Sequence, residues 1–159
     1  THRGSSAASD VYKRQEGVYD ALRHNRKLLI SPTASGKSLM IYSIVRYFVE
    51  RGKNTLIVVP TTSLVEQMYK DFADYGWDVG SFCHKIYAGK ERETDSQVII
   101  TTWQSIYKLP RKYFERFSVV VGDEAHQFKS KSLVSIMSKL SDAKYRFGFT
   151  GTLLSLIHI

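Results

Sequence analysis

A short loop rich in hydroxyl residues, SPTASGKS over residues 31–38, has the composition of a phosphate-binding site. It lies between a strand predicted over 27–31 and a helix predicted from about residue 37 to 50. A helix start offers free backbone N–H groups and the positive end of the helix dipole to an anion. In such a phosphate loop, Lys37 reaches the β- and γ-phosphates of a nucleotide, and the Ser38 hydroxyl holds Mg²⁺.

The loop departs from the strict phosphate-loop pattern, because Ser31 stands where that pattern begins with glycine. The alternative interpretation is an ordinary loop in which Ser35 caps the helix and Lys37 is an exposed lysine. The phosphate-loop hypothesis assigns six residues to the nucleotide: Thr33, Ala34, Ser35, Gly36, Lys37 and Ser38.

An acidic pair follows a second predicted strand, over residues 118–122. Asp123 and Glu124 stand at its end and are followed by Ala125 and His126. The carboxyl ends of parallel strands border the crevice where such sheets bind ligands. We predict that Asp123 binds the same Mg²⁺ as Ser38, and that Glu124 polarises the attacking water. An acidic helix start is the alternative, but it does not explain why the pair coincides with a phosphate loop.

Hydroxyl and amide side chains follow two further predicted strands, over residues 55–60 and 97–102. At such strand-to-helix junctions, hydroxyls and N–H groups point outward together and suit a backbone phosphate. Ordinary helix N-capping is a compatible alternative. The residues concerned are Thr61, Thr62, Ser63, Thr101, Thr102 and Gln104.

Basic and aromatic residues alternate over 107–116, as in grooves that stack nucleic-acid bases, although a charge run is often only a solvated face. The residues are Tyr107, Lys108, Arg111, Lys112, Tyr113 and Arg116. We interpret Trp103 as a core residue, and Cys83 and His84 as structural, because no partner stands at metal-ligand spacing.

The elements that position these residues alternate between short β-rich runs and helical patterns. This alternation predicts an α/β fold with a mostly parallel sheet and crossover helices. Residues 55–60 are a continuous apolar strand of the buried parallel type, and residues 61–75 follow as a helix that Gly76 ends. Further strands are predicted near 85–87 and 145–150, and a short helix over 110–117.

Five segments in chain order, SPTASGKS, VPTTSLVEQ, TTWQS, GDEAH and TGT, resemble motifs I, Ia, Ib, II and III of superfamily 2 helicases of the DEAH-box type. Phage recombination helicases of this superfamily have very similar spacing. The resemblance covers nearly all of residues 16–153. It implies a three-layer RecA-like P-loop NTPase domain, the N-terminal lobe of a two-lobed motor, truncated at both ends.

The resemblance also implies roles. Lys37, Asp123, Glu124 and His126 would be catalytic, with His126 coupling the nucleotide site to the second lobe. A nucleic-acid strand would contact Pro60, Thr61, Thr62, Gln67, Thr101, Thr102 and Gln104. Hydrolysis would be coupled to movement through Thr150, Gly151 and Thr152.

The implied cofactors are ATP and Mg²⁺, and the implied partners are DNA, single-stranded or branched, and a second RecA-like lobe that supplies arginine fingers. Without that lobe we expect slow or no hydrolysis. The implied setting is DNA recombination or repair of a phage, in the bacterial host cytoplasm. A restriction-system translocase and an RNA helicase are alternatives, as are a nucleic-acid-binding module with an idle ATP site and a metabolic P-loop kinase.

The two ends of the sequence match each other in an unusual way. Residues 10–15, DVYKRQ, can be back-translated into DNA whose reverse complement encodes LSLIHI, residues 154–159. A DNA fragment tagged at both ends with one sequencing adapter explains this match. We therefore expect residues 1–15 and 154–159 to be translated adapter. The adenine-reading glutamine of the family is then missing, because Gln15 falls one position off and inside the adapter.

Composition sets outer limits. The chain has 159 residues, 43% of them apolar, and a formal net charge of +8, which excludes full disorder and favours an anionic partner. No apolar run approaches the length of a membrane-spanning helix. A single cysteine excludes a disulfide framework and fits a reducing cytoplasm.

Overall fold

A computed structural model of the chain describes residues 26–30, 34–88, 94–124 and 130–150. Strands and helices alternate along them, as the hydrophobic pattern predicts. In chain order the elements are β1 (Arg26–Ile30), α1 (Ala34–Val49), β2 (Thr55–Val59), α2 (Thr62–Asp74), α3 (Val79–Phe82), β3 (Cys83–Ile86), β4 (Val98–Thr102), α4 (Trp103–Ile106), α5 (Arg111–Phe114), β5 (Val119–Asp123), α6 (Ser130–Lys139) and β6 (Tyr145–Thr150).

Within the described residues the strands form one six-stranded sheet in the order β1-β6-β5-β2-β4-β3. Each neighbouring pair is parallel. The carboxyl ends of the strands therefore lie along one side of the sheet, which we call the carboxyl edge. The register brings Asp123 opposite Phe149, and Ile30 opposite Thr150, so β1, β6 and β5 end nearly level.

Helices cover both faces of the sheet. Along β2, Ile57 and Val59 join the core that packs under α1 and α2, whereas Leu56 and Val58 join the core under α4, α5 and α6. Both faces of this strand are buried, which explains why its sequence is a continuous apolar run. The three-layer α/β architecture predicted from the sequence is confirmed.

Several boundaries differ from the predicted ones. Helix α1 begins at Ala34, so the last residues of the predicted phosphate loop form its first turn. The helix predicted over 110–117 is a single turn, Arg111–Phe114, because the chain then leads into β5. The short helices α3 and α4 were not predicted, since a single turn has no apolar period to read.

Two structural predictions hold. Helix α2 ends before Gly76, whose φ of 93° is the left-handed conformation that favours glycine after a helix. Trp103 and Cys83 are buried, as expected for core residues. In the described part of the chain, no helix combines the length and hydropathy needed to cross a bilayer.

Candidate nucleotide-binding site

Three side chains from two elements meet at the carboxyl edge where β5 ends. Lys37 lies in the first turn of α1, Asp123 ends β5, and Glu124 follows it. The Lys37 Nζ lies 3.0 Å from Asp123 Oδ1 and also donates a hydrogen bond to Glu124 Oε1. Lys37 is only 8% exposed and Asp123 only 2%. The structure therefore brings the predicted phosphate-loop lysine and the predicted acidic pair together in a buried ion-pair cluster.

The pKa values of Lys37 and Asp123 are both raised in this cluster. Burial lowers the pKa of the Lys37 ammonium, but the adjacent Asp123 and Glu124 more than compensate and hold it above the usual 10.5. Burial raises the pKa of Asp123 above the usual 3.8, and Lys37 offsets only part of that increase. A further positive charge beside Asp123 would favour its ionised form.

Asp123 Oδ1 is the buried carboxylate oxygen of this cluster, and it contacts the Lys37 ammonium as an ion pair. Glu124 has a φ of 50°, a left-handed conformation that costs a non-glycine residue on the order of 1–3 kcal/mol. Such strain persists where the surroundings enforce it, and it clusters at functional sites.

Ser38, the predicted Mg²⁺ ligand, has a partner that sequence reasoning missed. Its Oγ donates a hydrogen bond of 2.8 Å to Asp71 Oδ2 on α2. The other carboxylate oxygen of Asp71 accepts a 2.8 Å hydrogen bond from Gln67 Nε2. The i,i+4 spacing of Gln67 and Asp71 on one helix allows their hydrogen bond to be predicted from the sequence. The contact between Asp71 and Ser38 could not be predicted in this way.

The hydroxyl residues after β2 lie on the surface. Thr61, Thr62 and Ser63 are exposed, and the Thr61 Oγ1 accepts a 3.3 Å hydrogen bond from the Leu64 N–H as the N-cap of α2. The capping and phosphate-binding interpretations of this segment thus remain compatible. A surface groove of about 490 Å³ opens beside it, lined by Thr62, Ser63, Glu66, Gln67, Lys70 and Tyr87.

The corresponding residues after β4 differ in exposure. Thr101 and Thr102 are buried, and the Thr102 hydroxyl is hydrogen-bonded at 2.7 Å to that of Ser105. Gln104 is exposed, and its Nε2 donates a 3.3 Å hydrogen bond to the carbonyl of Pro60, itself buried. Gln104 therefore ties the two predicted nucleic-acid segments together and presents an accessible amide there.

Arg116 differs in exposure from the other basic residues over 107–116. Lys108, Arg111 and Lys112 are exposed, but Arg116 is half-buried and its guanidinium donates to the carbonyls of Thr94 and Ser96, just before β4 begins. The charge of Arg116 therefore satisfies backbone carbonyls. The stacking groove stays a prediction for this stretch.

Some predicted site residues lie outside the described residues: Thr33, His126, Gly151 and Thr152. Ala34 and Ser35 lie in the first turn of α1, and Thr150 ends β6. In the described ranges, no group of three or more His, Cys, Asp or Glu residues is placed to hold a metal ion.

A known family matches this arrangement. The family described as "Type III restriction enzyme, res subunit" matches residues 6–155, which is most of the chain. The chain belongs to this family. The matched range begins within residues 1–15 and ends within 154–159, and the adapter interpretation of those segments stays a prediction.

Two of the proteins similar to this chain are helicases. The chain is 33% identical over 157 residues to the ATP-dependent DNA helicase UvsW of enterobacteria phage T4, covering 96% of the chain and 31% of that protein. A crystal structure of UvsW from bacteriophage T4 superposes with a TM-score of 0.81 at 34% identity, over 88% of this chain and 51% of that one. The predicted resemblance to superfamily 2 helicases is confirmed.

A more distant structure agrees on the fold. The helicase domain of Hef from Pyrococcus furiosus superposes with a TM-score of 0.73 at 23% identity, over 91% of this chain and 33% of that one. The chain thus spans about a third of the T4 helicase sequence and a third to a half of these two solved chains.

Proposed function

We propose that this chain is the first motor lobe of an ATP-dependent DNA helicase or translocase. It binds Mg²⁺·ATP at the end of β1 and β5, and a nucleic-acid strand at the starts of α2 and α4. The observation that carries the proposal is the buried cluster of Lys37, Asp123 and Glu124, which places a phosphate-binding lysine against two carboxylates at the carboxyl edge.

In this proposal Lys37 exchanges partners. Its ammonium holds both carboxylates, and the β- and γ-phosphates of ATP draw it away from Glu124. Glu124 then accepts a proton from the attacking water, as a general base next to the end of a strand. Its hydrogen bond from Lys37 places the carboxylate beside the first turn of α1.

The residues present fit a magnesium ion. Ser38 and Asp123 supply one hydroxyl and one carboxylate oxygen, the hard ligands that Mg²⁺ prefers, and the nucleotide phosphates supply the rest. The burial of the Asp123 carboxylate at the carboxyl edge, next to the phosphate-loop lysine, supports this assignment. When bound, the metal neutralises charge on the transferred phosphoryl group.

The nucleic-acid part of the proposal rests on the surface next to this site. Exposed Thr61, Thr62 and Ser63, the Gln104 amide and the groove with Lys70 offer hydroxyl, amide and ammonium donors to a phosphodiester backbone. DNA, rather than RNA, and a place in recombination or repair of a phage are inferred from the name of the T4 relative.

We further propose that a second lobe completes the motor. The chain spans 31% of the T4 helicase, which leaves most of that protein's length unmatched. The isolated chain is therefore expected to bind Mg²⁺·ATP and to hydrolyse it slowly.

The test is Lys37→Ala with two titrations. Fluorescent ATP analogue in MgCl₂ should bind at least about a hundredfold more weakly, because a desolvated charge contact to phosphate is lost. A fluorescein-labelled oligothymidine should bind within about twofold of the unchanged chain, because the two sites use different residues. Lys53→Ala, at an exposed lysine between α1 and β2, is the matched control. Unchanged nucleotide binding in Lys37→Ala would show that the phosphate-loop assignment is wrong.

A further inference from the structure

Asp71 stands between the two proposed sites and has no role in either as described so far. It lies on α2, in the helix that begins at the nucleic-acid segment, one residue before the fully buried Phe72. One of its carboxylate oxygens holds Ser38 and the other holds Gln67, each at 2.8 Å. A single half-buried carboxylate therefore contacts one residue of each site.

The bond to Ser38 fixes what that hydroxyl can offer. A serine hydroxyl has one proton to donate and two lone pairs to share. Because the proton goes to Asp71 Oδ2, the lone pairs of Ser38 Oγ are left for a cation. A carboxylate behind a metal ligand also raises the basicity of that ligand and fixes its orientation.

The bond to Gln67 has the same effect on the other side. Because Gln67 Nε2 donates a hydrogen bond to Asp71 Oδ1, the Gln67 side chain is held in one orientation on the wall of the surface groove. Packing keeps the two helices in place, since Tyr42 of α1 lies 5.5 Å from Phe72 of α2 between ring centroids. Ser38 on α1 and Gln67 on α2 thus share one carboxylate across the packed helices.

We propose that Asp71 is a positioning residue that orients Ser38 toward Mg²⁺ and Gln67 toward the nucleic-acid strand, and so couples the two sites. This inference rests on the proposed function. Coupling between two ligands is reciprocal, so Mg²⁺·nucleotide changes the affinity for the strand by the same factor as the strand changes the affinity for Mg²⁺·nucleotide.

The experiment titrates the full 159-residue chain and its Asp71→Ala variant with a fluorescent ATP analogue, in MgCl₂ and in EDTA. In MgCl₂ the variant should bind about tenfold more weakly, the usual cost of removing a group behind a metal ligand. In EDTA the two should agree within about twofold, because only the metal contact depends on Asp71. An equal loss in EDTA, or no loss in MgCl₂, would overturn the inference.

The second measurement is the coupling itself. The oligothymidine affinity is measured with and without the Mg²⁺·analogue. The ratio of these two affinities should differ from one in the unchanged chain and should equal one in Asp71→Ala. Asp71→Asn should recover most of the coupling, because its amide can still accept from Ser38 and donate to a rotated Gln67. An Asp71→Asn variant that is as impaired as Asp71→Ala would contradict positioning by hydrogen bonds.

Three controls separate the possible causes. Asp74→Ala removes an exposed acid from the same helix and should change neither measurement. Adding Asp71→Ala to Ser38→Ala should weaken Mg²⁺-dependent binding no further, because Asp71 acts through Ser38. If Lys37→Ala retains nucleotide binding, the proposed function fails. If Lys37→Ala loses it and Asp71→Ala does not, the proposed function stands and only the inference about Asp71 fails.

Discussion

The carboxyl edge of the sheet is divided into two halves that use different chemistry. At the half formed by β1, β6 and β5, the charged nucleotide candidates Lys37, Asp123 and Glu124 pair with one another, and Lys37 and Asp123 are buried. Strands β2, β4 and β3 lie beside the nucleic-acid candidates, whose accessible members are neutral hydroxyls and an amide, with Lys70 nearby. One sheet thus has a buried ionic site and an exposed polar surface next to each other at its carboxyl edge.

The difference matches two kinds of ligand. A nucleoside triphosphate with its metal concentrates charge at one point, and buried countercharges recognise it strongly because water does not screen them. A strand that must slide past the protein is better held by many weak, interchangeable donors at its phosphates. Asp71 joins the halves, since its two oxygens contact Ser38 and Gln67.

The largest expected difference between the halves is in stability. Lys37→Met leaves the buried Asp123 without its ammonium and should lower the free energy of unfolding by about 3 kcal/mol. Lys70→Met, at an exposed lysine of the groove, should change it by less than about 0.5 kcal/mol. Urea unfolding measures both. The double variant Lys37→Met/Asp123→Asn should regain part of the loss, and similar losses in Lys37→Met and Lys70→Met would remove the contrast.

A smaller effect is expected for nucleic-acid affinity. Gln104→Ala should weaken oligothymidine binding about fivefold, the scale of one hydrogen bond, and leave nucleotide affinity unchanged. Lys70→Ala should reduce the slope of log affinity against log salt by about 0.7, the share of one neutralised phosphate on a single strand. Fluorescence anisotropy in a salt series measures both quantities. A Gln104→Ala variant that also weakens nucleotide binding would show that the halves are not separate.

Neither proposed ligand is expected to change the reactivity of the Cys83 thiol. It lies at the start of β3, opposite Val98 and far from the carboxyl edge, and burial raises the pKa of its thiol to about 12. The thiol therefore stays protonated until the pH approaches that value, and a thiol reagent at pH 8 should react slowly. The rate should not change with Mg²⁺·nucleotide or oligothymidine, and should rise sharply in urea. Rapid reaction of the folded chain would contradict this burial.

The sequence was sufficient to predict the ionic half. Lys37 and Asp123 each follow a strand predicted to be parallel, and parallel strands bring their carboxyl ends to one edge. Neither the register nor the order of the strands was predicted, and both bring β1 and β5 close together. Two segments more than eighty residues apart in sequence were predicted to serve one site, and their Lys37 and Asp123 lie 3.0 Å apart.

The polar half was harder to predict. Thr101 and Thr102 have the same residue types as the exposed Thr61 and Thr62, yet they end a strand that is buried on both faces. The exposure of Thr101 and Thr102 depends on the short helix α4, which is too short to be predicted from a hydrophobic period. The contact between Ser38 and Asp71 depends on how α1 packs against α2, and that is a property of the assembled core rather than of either segment.

Hydrogen–deuterium exchange of the 159-residue chain tests the division of the carboxyl edge most directly. Saturating Mg²⁺·ATPγS should protect the amides of residues 34–38 and 122–124, and oligothymidine should protect those of 61–67 and 102–104. Lys37→Ala should abolish the first pattern and keep the second. If nucleotide protects 61–67 and leaves 34–38 exchanging as before, the two halves do not hold the ligands assigned to them.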